Sequence, residues 1–260
     1  MNSTVNNTNE DVVVIQDLKK SFDTTEVLKG ITLSLKKGEN LVVLGKSGTG
    51  KSVLIKCVVR LLNADSGSIK VFDEEVTELK NDDMNRVRRK IGFLFQGGAL
   101  YDSMTVRENL EFPLKRMFKD LSKQEVDAKV KEALENVGLP DSIDKMPSEL
   151  SGGMKKRISL ARTIIVDPEI MLYDEPTTGL DPVSSHEISL LINEVQQKYK
   201  TSSIIITHDI ECAKTVANRI IMLQNGKVYK EGVLSEFENS DDELVKSYFK
   251  SQNITNTKTI

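Results

Sequence analysis

The chain has 260 residues, 38% of them hydrophobic and 29% charged, with a net charge of −3 and a pI near 5.7. That length suits one large α/β domain or two small ones with ample core, and the acidic balance removes the overall basic field expected of a nucleic-acid-binding protein. Cys57 and Cys212 have no metal-ligand spacing and form no disulfide framework, so two reduced thiols are expected. No run approaches the roughly 18 apolar residues of a membrane span. The stretch from Thr163 to Tyr173 is broken by Asp167-Pro168. The first ten residues are polar without a charged-then-apolar leader, so export is not expected, and the Asn-x-Ser/Thr triplets at Asn2, Asn6 and Asn253 are read as chance matches.

In chain order, residues 1–10 and 250–260 are rich in Asn, Thr and Ser and read as flexible tails. Val12 to Ile15, Ile31 to Leu35 and Leu41 to Leu44 are expected strands, the first and third continuous apolar runs suited to a buried sheet. Gly50 to Leu62 has helical spacing, and Ile91 to Phe95 is another short strand. Between about 97 and 160 the texture turns helical. Thr105 with Glu108 and Ser122 with Glu125 match the capping-box pattern, and Gly138 is a plausible stop for the second helix. Arg86, Arg88, Arg89 and Lys90 read as a surface helix end. Ile170 to Tyr173 and Ser203 to Ile206 are buried-strand runs, separated by a helix that Asp181 caps and Pro182 opens. Ile220 to Leu223, Asn225-Gly226 and Lys227 to Lys230 spell a hairpin. Two parallel-sheet segments thus enclose a helical insertion, with no internal repeat.

The chemistry concentrates in three places. Gly45-Lys46-Ser47-Gly48-Thr49-Gly50-Lys51-Ser52 fits the phosphate-loop pattern G-x-x-x-x-G-K-[ST] between a strand and a helix, the context the motif requires. Its backbone N–H groups and the following helix N-terminus suit phosphate, Lys51 reaches the β- and γ-phosphates, and the Ser52 hydroxyl holds Mg²⁺. Val53, directly after Ser52, is counted with this nucleotide-binding run. The strand Ile170 to Tyr173 ends in Asp174-Glu175, at the sheet edge where open α/β sheets bind ligands. Asp174 fits the Mg²⁺ carboxylate. Glu175, aimed to the other side by strand alternation, is the candidate to orient or deprotonate the attacking water. Ser151-Gly152-Gly153, opening the helical run Lys155 to Ile165, makes a second anion-binding helix start with Ser151 as N-cap. The following Lys155, Lys156 and Arg157 read as a solvated face, with added attraction for a nucleotide as the functional alternative.

GKSGTGKS, Gln96 after a strand, LSGGM, MLYDEP, Gly179-Leu180-Asp181 and Thr207-His208-Asp209 occur in the order seen in ATP-binding cassette (ABC) ATPases, and the chain resembles that family over about residues 11 to 235. The resemblance implies an α/β fold: a P-loop NTPase (RecA-like) core with an antiparallel β subdomain and an inserted α-helical subdomain at about 97–160, the cassette spanning 11–247. It implies ATP and Mg²⁺ as cofactors, ATP hydrolysis, and a head-to-tail dimer of two copies, each ATP lying between one phosphate loop and the other copy's Ser151 and Gly153. By the same resemblance His208 touches the γ-phosphate, Gln96 links Mg²⁺ and water to the helical insertion, Asp181 couples the two sites, and Phe22 stacks on adenine. Met154 departs from the family's usual Gln, and activity is expected to survive it.

Within the family, Phe95 to Leu110 with Phe112-Pro113-Leu114, Val53, Met154 and Pro182-Val183-Ser184-Ser185 look like the bacterial Mla branch. That resemblance implies phospholipid transport at the cytoplasmic face of the inner membrane, with a permease and an MCE-domain lipid-binding protein as partners and no nucleic acid. Leu100, Tyr101, Met104 and Phe112 suit a helix-in-groove contact with the permease, although each of them could equally pack inside the insertion. The alternatives are an ABC importer or exporter for amino acids or drugs, a soluble ABC ATPase acting on ribosomes or DNA, and a binding-only cassette. Phe237, Leu244, Val245 and Phe249 could dock on the other subunit.

Overall fold

The computed structural model describes residues 10–250; the tails expected at 1–10 and 250–260 lie outside it except for residues 10 and 250. β1 (Asp11–Phe22) and β2 (Thr25–Lys36) form a long hairpin, and β3 (Asn40–Leu44) runs through the phosphate loop into α1 (Lys51–Val58). β4 (Ser66–Val71), β5 (Glu74–Glu75), α2 (Asn81–Arg88) and β6 (Ile91–Leu94) follow. The helical stretch holds α3 (Val106–Met117), α4 (Lys123–Asn136) and α5 (Gly152–Ile164). Then come β7 (Ile170–Asp174), α6 (Pro182–Tyr199), β8 (Ser202–Thr207), α7 (Ile210–Val216), β9 (Arg219–Gln224), β10 (Lys227–Gly232), α8 (Leu234–Glu238) and α9 (Glu243–Lys250).

A six-stranded sheet has the order β10-β9-β3-β8-β7-β6, parallel except for β10, and a four-stranded antiparallel sheet has the order β2-β1-β4-β5. Both faces of the parallel sheet are covered, so the central residues of its parallel strands are apolar. Alternation divides them cleanly. Val42, Leu44, Met171 and Tyr173 face the core shared with the helical insertion, while Leu41, Val43, Ile170 and Leu172 face the core shared with α1 and the antiparallel sheet. The run Val12 to Ile15, expected in a buried sheet without an assigned direction, belongs to the antiparallel one. A continuous apolar run reports burial on both sides and carries no information on strand direction. β9 is tied to the turn before β3 by Arg219, whose guanidinium grips both carboxylate oxygens of Glu39 at 2.7 and 2.8 Å and donates to the Ser34 carbonyl at 2.6 Å. The Glu39 carboxylate raises the pKa of that guanidinium.

Local signals set the helix ends. Both capping boxes form, with the Thr105 and Ser122 side chains accepting from the N–H groups of Glu108 and Glu125. Gly138, with φ of 69°, ends the turn after α4. α1 stops at Val58, short of the expected Leu62, because Arg60 turns to φ 50°. Phe237 and Val245 are buried in this chain's own core, with Leu244 and Phe249 packed against them, so in the single chain they do not await another subunit. No helix among the described residues is long and apolar enough to cross a membrane.

Asn109, fully buried at the start of α3, shapes the loop before that helix. Its Nδ2 donates to the carbonyls of Tyr101, Met104 and Thr105 at 3.0–3.1 Å, and its Oδ1 accepts from the Tyr101 N–H at 2.8 Å. Asn109→Ala strands these backbone groups, and urea unfolding should show a loss of about 2 kcal/mol.

Candidate functional site

Strand register assembles the site. Leu44 pairs with Thr207 and Asp174 with Ile206, so β3, β8 and β7 end on nearly one row and release Gly45, His208 and Glu175 side by side. Leu94 pairs with Tyr173, which brings Gln96 to the same edge from β6. A cleft of about 460 Å³ opens there. From the phosphate loop it is lined by Ser47, Gly48, Gly50, Lys51, Ser52 and Val53, and Gln96, Glu175 and His208 close the other side. Phe22 and Val27 stand at one end, Phe22 with 42% of its surface exposed. Val27 carries no motif, and only its place on β2 beside the loop gives it a role.

The loop's shape requires glycine at two points. Gly50 starts α1 at φ 96°, and a Cβ there would lie 2.7 Å from Leu28; a Cβ on Gly45 would lie 2.6 Å from the Thr49 hydroxyl. Thr49 Oγ1 in turn donates to the Lys46 carbonyl at 2.9 Å. Lys51 is 5% exposed, and its Nζ donates to the carbonyls of Gly45 at 2.8 Å and Lys46 at 3.2 Å. The same ammonium lies 3.4 Å from the Glu175 carboxylate. Ser52 Oγ donates to Asp174 Oδ1 at 2.5 Å. These oxygen donors, with Gln96 across the cleft, are the hard set that Mg²⁺ takes, and the nearly buried Asp174 carboxylate has a hydroxyl but no cation against it, so the residues fit that ion.

Glu175 lines the cleft and Asp174, held on Ser52, does not, but strand alternation is not what aims Glu175. The strand ends at Asp174, and Glu175 adopts φ 51°, which swings its carboxylate back into the cleft. Glu175 Oε2 lies 2.8 Å from His208 Nδ1 and accepts from the His208 N–H at 3.3 Å and the Thr178 hydroxyl at 3.2 Å. A left-handed backbone at a non-glycine residue in a catalytic cleft is stored strain, held here by these bonds.

Ser151, Gly152, Gly153 and Asp181 do not line this cleft. Ser151 caps α5 as expected, accepting from the Met154 N–H at 3.3 Å. Asp181 caps α6 through the N–H groups of Val183 and Ser184, both at 3.0 Å, and accepts from the Ser184 hydroxyl. That hydroxyl contact lowers the Asp181 pKa. The two caps are neighbours, since a Cβ on Gly153 would lie 3.2 Å from Ser184 Oγ. Met154 packs partly into the core.

Lys156 departs from the expectation of a solvated face. It is 5% exposed, and its Nζ donates to the Gln96 carbonyl at 2.6 Å. Burial lowers its pKa, and the Asp174 and Glu175 carboxylates oppose that effect. Lys155 is exposed as expected, and Arg157 bridges Glu187 and the Val137 carbonyl. The helical period would have separated Lys156 from its neighbours, since it falls three residues before Ser159 and four before Leu160, both buried. Of the four expected contact residues, Tyr101 is exposed, Met104 and Phe112 are half-buried, and Leu100 packs against the core. The Cys57 and Cys212 thiols are free and buried, with burial raising their pKa to about 11 and about 12.

The ABC transporter family profile matches residues 28–178, more than half of the chain. This chain belongs to the ABC transporter ATP-binding family. It is similar to the methionine import ATP-binding protein MetN of Clostridium tetani, 38% identical over 90% of this chain and 74% of that one. It is equally similar to MetN of Rhizobium johnstonii, 38% identical over 92% of this chain and 66% of the relative. The chain thus spans about two thirds to three quarters of the length of these relatives. Among solved structures, the ABC ATP-binding cassette MJ0796 in a dimeric post-hydrolysis state with ADP and Pi superposes at a TM-score of 0.79, with 30% identity over 85% of this chain and 98% of that one. CbiO1 of Clostridium perfringens, part of the ABC transporter complex cbiONQ, superposes at 0.82, with 29% identity over 95% and 98% of the two chains. The fold is the ABC cassette, and the activity of the family is ATP hydrolysis coupled to transport.

Asp209 holds the His208 loop in place, accepting from the N–H groups of Glu211 and Cys212 and from the Thr177 hydroxyl at 2.9 Å. Asp209→Ala should lower stability to urea by about 1–2 kcal/mol, the usual weight of a lost N-cap.

Proposed function

We propose that this chain is the ATP-hydrolysing subunit of a bacterial ABC importer, working as a dimer of two copies beneath a membrane permease. The observation that carries the catalytic reading is the convergence of Lys51, Glu175 and His208 at one sheet edge, over a loop whose backbone is shaped for phosphate. In this reading Phe22 stacks on adenine, the backbone N–H groups of Gly48 to Val53 bind the phosphates, and Lys51 leaves its carbonyl partners for the γ-phosphate. Ser52, Asp174 and Gln96 hold Mg²⁺, which neutralises charge on the phosphates. Glu175 orients and deprotonates the attacking water, and His208 contacts the γ-phosphate. Ser151 to Gly153 lie away from their own chain's cleft with Ser151 exposed, which supports their serving the nucleotide of the second copy, with Asp181 beside them as the coupling residue.

The import reading, with methionine or a similar amino acid as cargo, is supported by the identity to the two MetN proteins. A second reading, phospholipid transport with an MCE-domain partner, is favoured only by the segment Phe95 to Leu114 and the smaller signs at Val53, Met154 and Pro182 to Ser185. In both, the protein sits at the cytoplasmic face of the inner membrane. A groove of about 200 Å³ lined by Phe95, Ala99, Pro113 and Arg162, with exposed Tyr101 nearby, is the surface offered to the permease.

Glu175→Gln should keep ATP affinity while turnover falls roughly 10²–10⁴-fold; turnover near wild type removes Glu175 from the role of base. Lys51→Ala should abolish ATP binding by calorimetry, and unchanged affinity would refute the phosphate-loop assignment. The cargo is tested by purifying the complex from detergent-solubilised membranes. ATPase stimulation by amino acid with a binding protein supports import, whereas co-eluting phospholipid and an MCE-domain protein support the second reading.

A further inference from the structure

We propose that Lys156 is a positioning residue that couples the two ATP sites by tying the helix start offered to the second copy's nucleotide to the Gln96 loop of its own. The inference rests on the reading above, in which α5 serves the neighbour's ATP and Gln96 serves the chain's own.

The geometry has three parts. First, Lys156 lies in the second turn of α5, one turn behind Gly152 and Gly153, so any shift of that helix start moves it as a rigid unit. Second, its ammonium is sequestered from water and donates to the backbone carbonyl of Gln96 at 2.6 Å. A buried cation without such a partner is costly, so the bond resists being pulled apart and transmits displacement. Third, Lys156 heads a stripe. Three residues on, Ser159 packs against Gly98, where a Cβ would lie 2.5 Å from its hydroxyl; three further on, Arg162 donates to the Ala99 carbonyl and lies 4.8 Å from the Tyr101 ring. Residues spaced this way share one helix face. The loop from Gln96 to Tyr101 is therefore clamped along α5 at successive points, and Lys156 is the clamp at the nucleotide end.

Movement of α5 toward a neighbouring nucleotide thus repositions the Gln96 backbone, and with it the side chain facing the chain's own Mg²⁺ and water. Lys155 and Arg157, in the same basic run, have no such contact: Lys155 is exposed and Arg157 is held by Glu187 and Val137.

The test is a double-mutant cycle on the full chain with its permease, measuring ATP Kd, kcat and the Hill coefficient for ATP in wild type, Lys156→Met, Lys156→Arg, Gln96→Ala and Lys156→Met/Gln96→Ala. Lys156→Met should leave Kd within about twofold, lower kcat roughly tenfold and bring the Hill coefficient toward one, with Lys156→Arg recovering most of the loss. In the Gln96→Ala background the same substitution should change kcat by less than about twofold, because no side chain remains to be positioned. Should Lys156→Met lose its native circular dichroism spectrum, Lys156→Ala, which also removes the donor, takes its place in the cycle. Unchanged kcat, or an equal loss in both backgrounds, overturns the proposal. Gln96→Ala with wild-type turnover sinks the role given to Gln96 and the proposal with it, and a wild-type complex that hydrolyses no ATP sinks the functional reading itself.

Discussion

The parallel register of β3, β8 and β7 is the constraint on which the rest of this molecule depends. Because Leu44 stands opposite Thr207 and Asp174 opposite Ile206, three chain exits open on one row, and groups more than a hundred residues apart in sequence meet within hydrogen-bonding distance. Both faces of the sheet are buried, so a one-residue slip would exchange the two hydrophobic cores entirely. The register is thus held by the full apolar packing of the domain, and the cleft inherits that rigidity.

On that platform the charges are arranged before any ligand arrives. The Lys51 ammonium is held over the loop carbonyls and near Glu175, Asp174 is held by Ser52, and the buried Lys156 ammonium is held on the Gln96 carbonyl. Lys51 and Glu175 thus pair in a site of low exposure, where electrostatic interactions are stronger than in water. In the proposed reading an incoming triphosphate competes with Glu175 for Lys51, which frees the Glu175 carboxylate for water. The strained φ of Glu175 and its contacts to His208 and Thr178 hold it where that exchange takes place.

α5 connects this site to the remainder of the surface. Its first turn carries Gly152 and Gly153 behind the Ser151 cap, its second turn carries Lys156, and its later turns hold the loop between Phe95, which lines a surface groove, and the exposed Tyr101.

Sequence by itself determined the chemistry and most of the element boundaries. The strand and helix that flank the phosphate loop, the two capping boxes, the Asp181 cap and the hairpin at Asn225-Gly226 are local patterns whose physics is complete within a few residues, and these elements are found as read. What only the tertiary structure decided are matters between distant residues. The run Val12 to Ile15 went to the antiparallel sheet because strand direction is set by partners. Glu175 turned into the cleft because His208, Thr178 and Lys51 compensate its strained backbone. Lys156, indistinguishable by composition from its basic neighbours, is buried because the Gln96 carbonyl is there to receive it, and that carbonyl belongs to a loop sixty residues earlier.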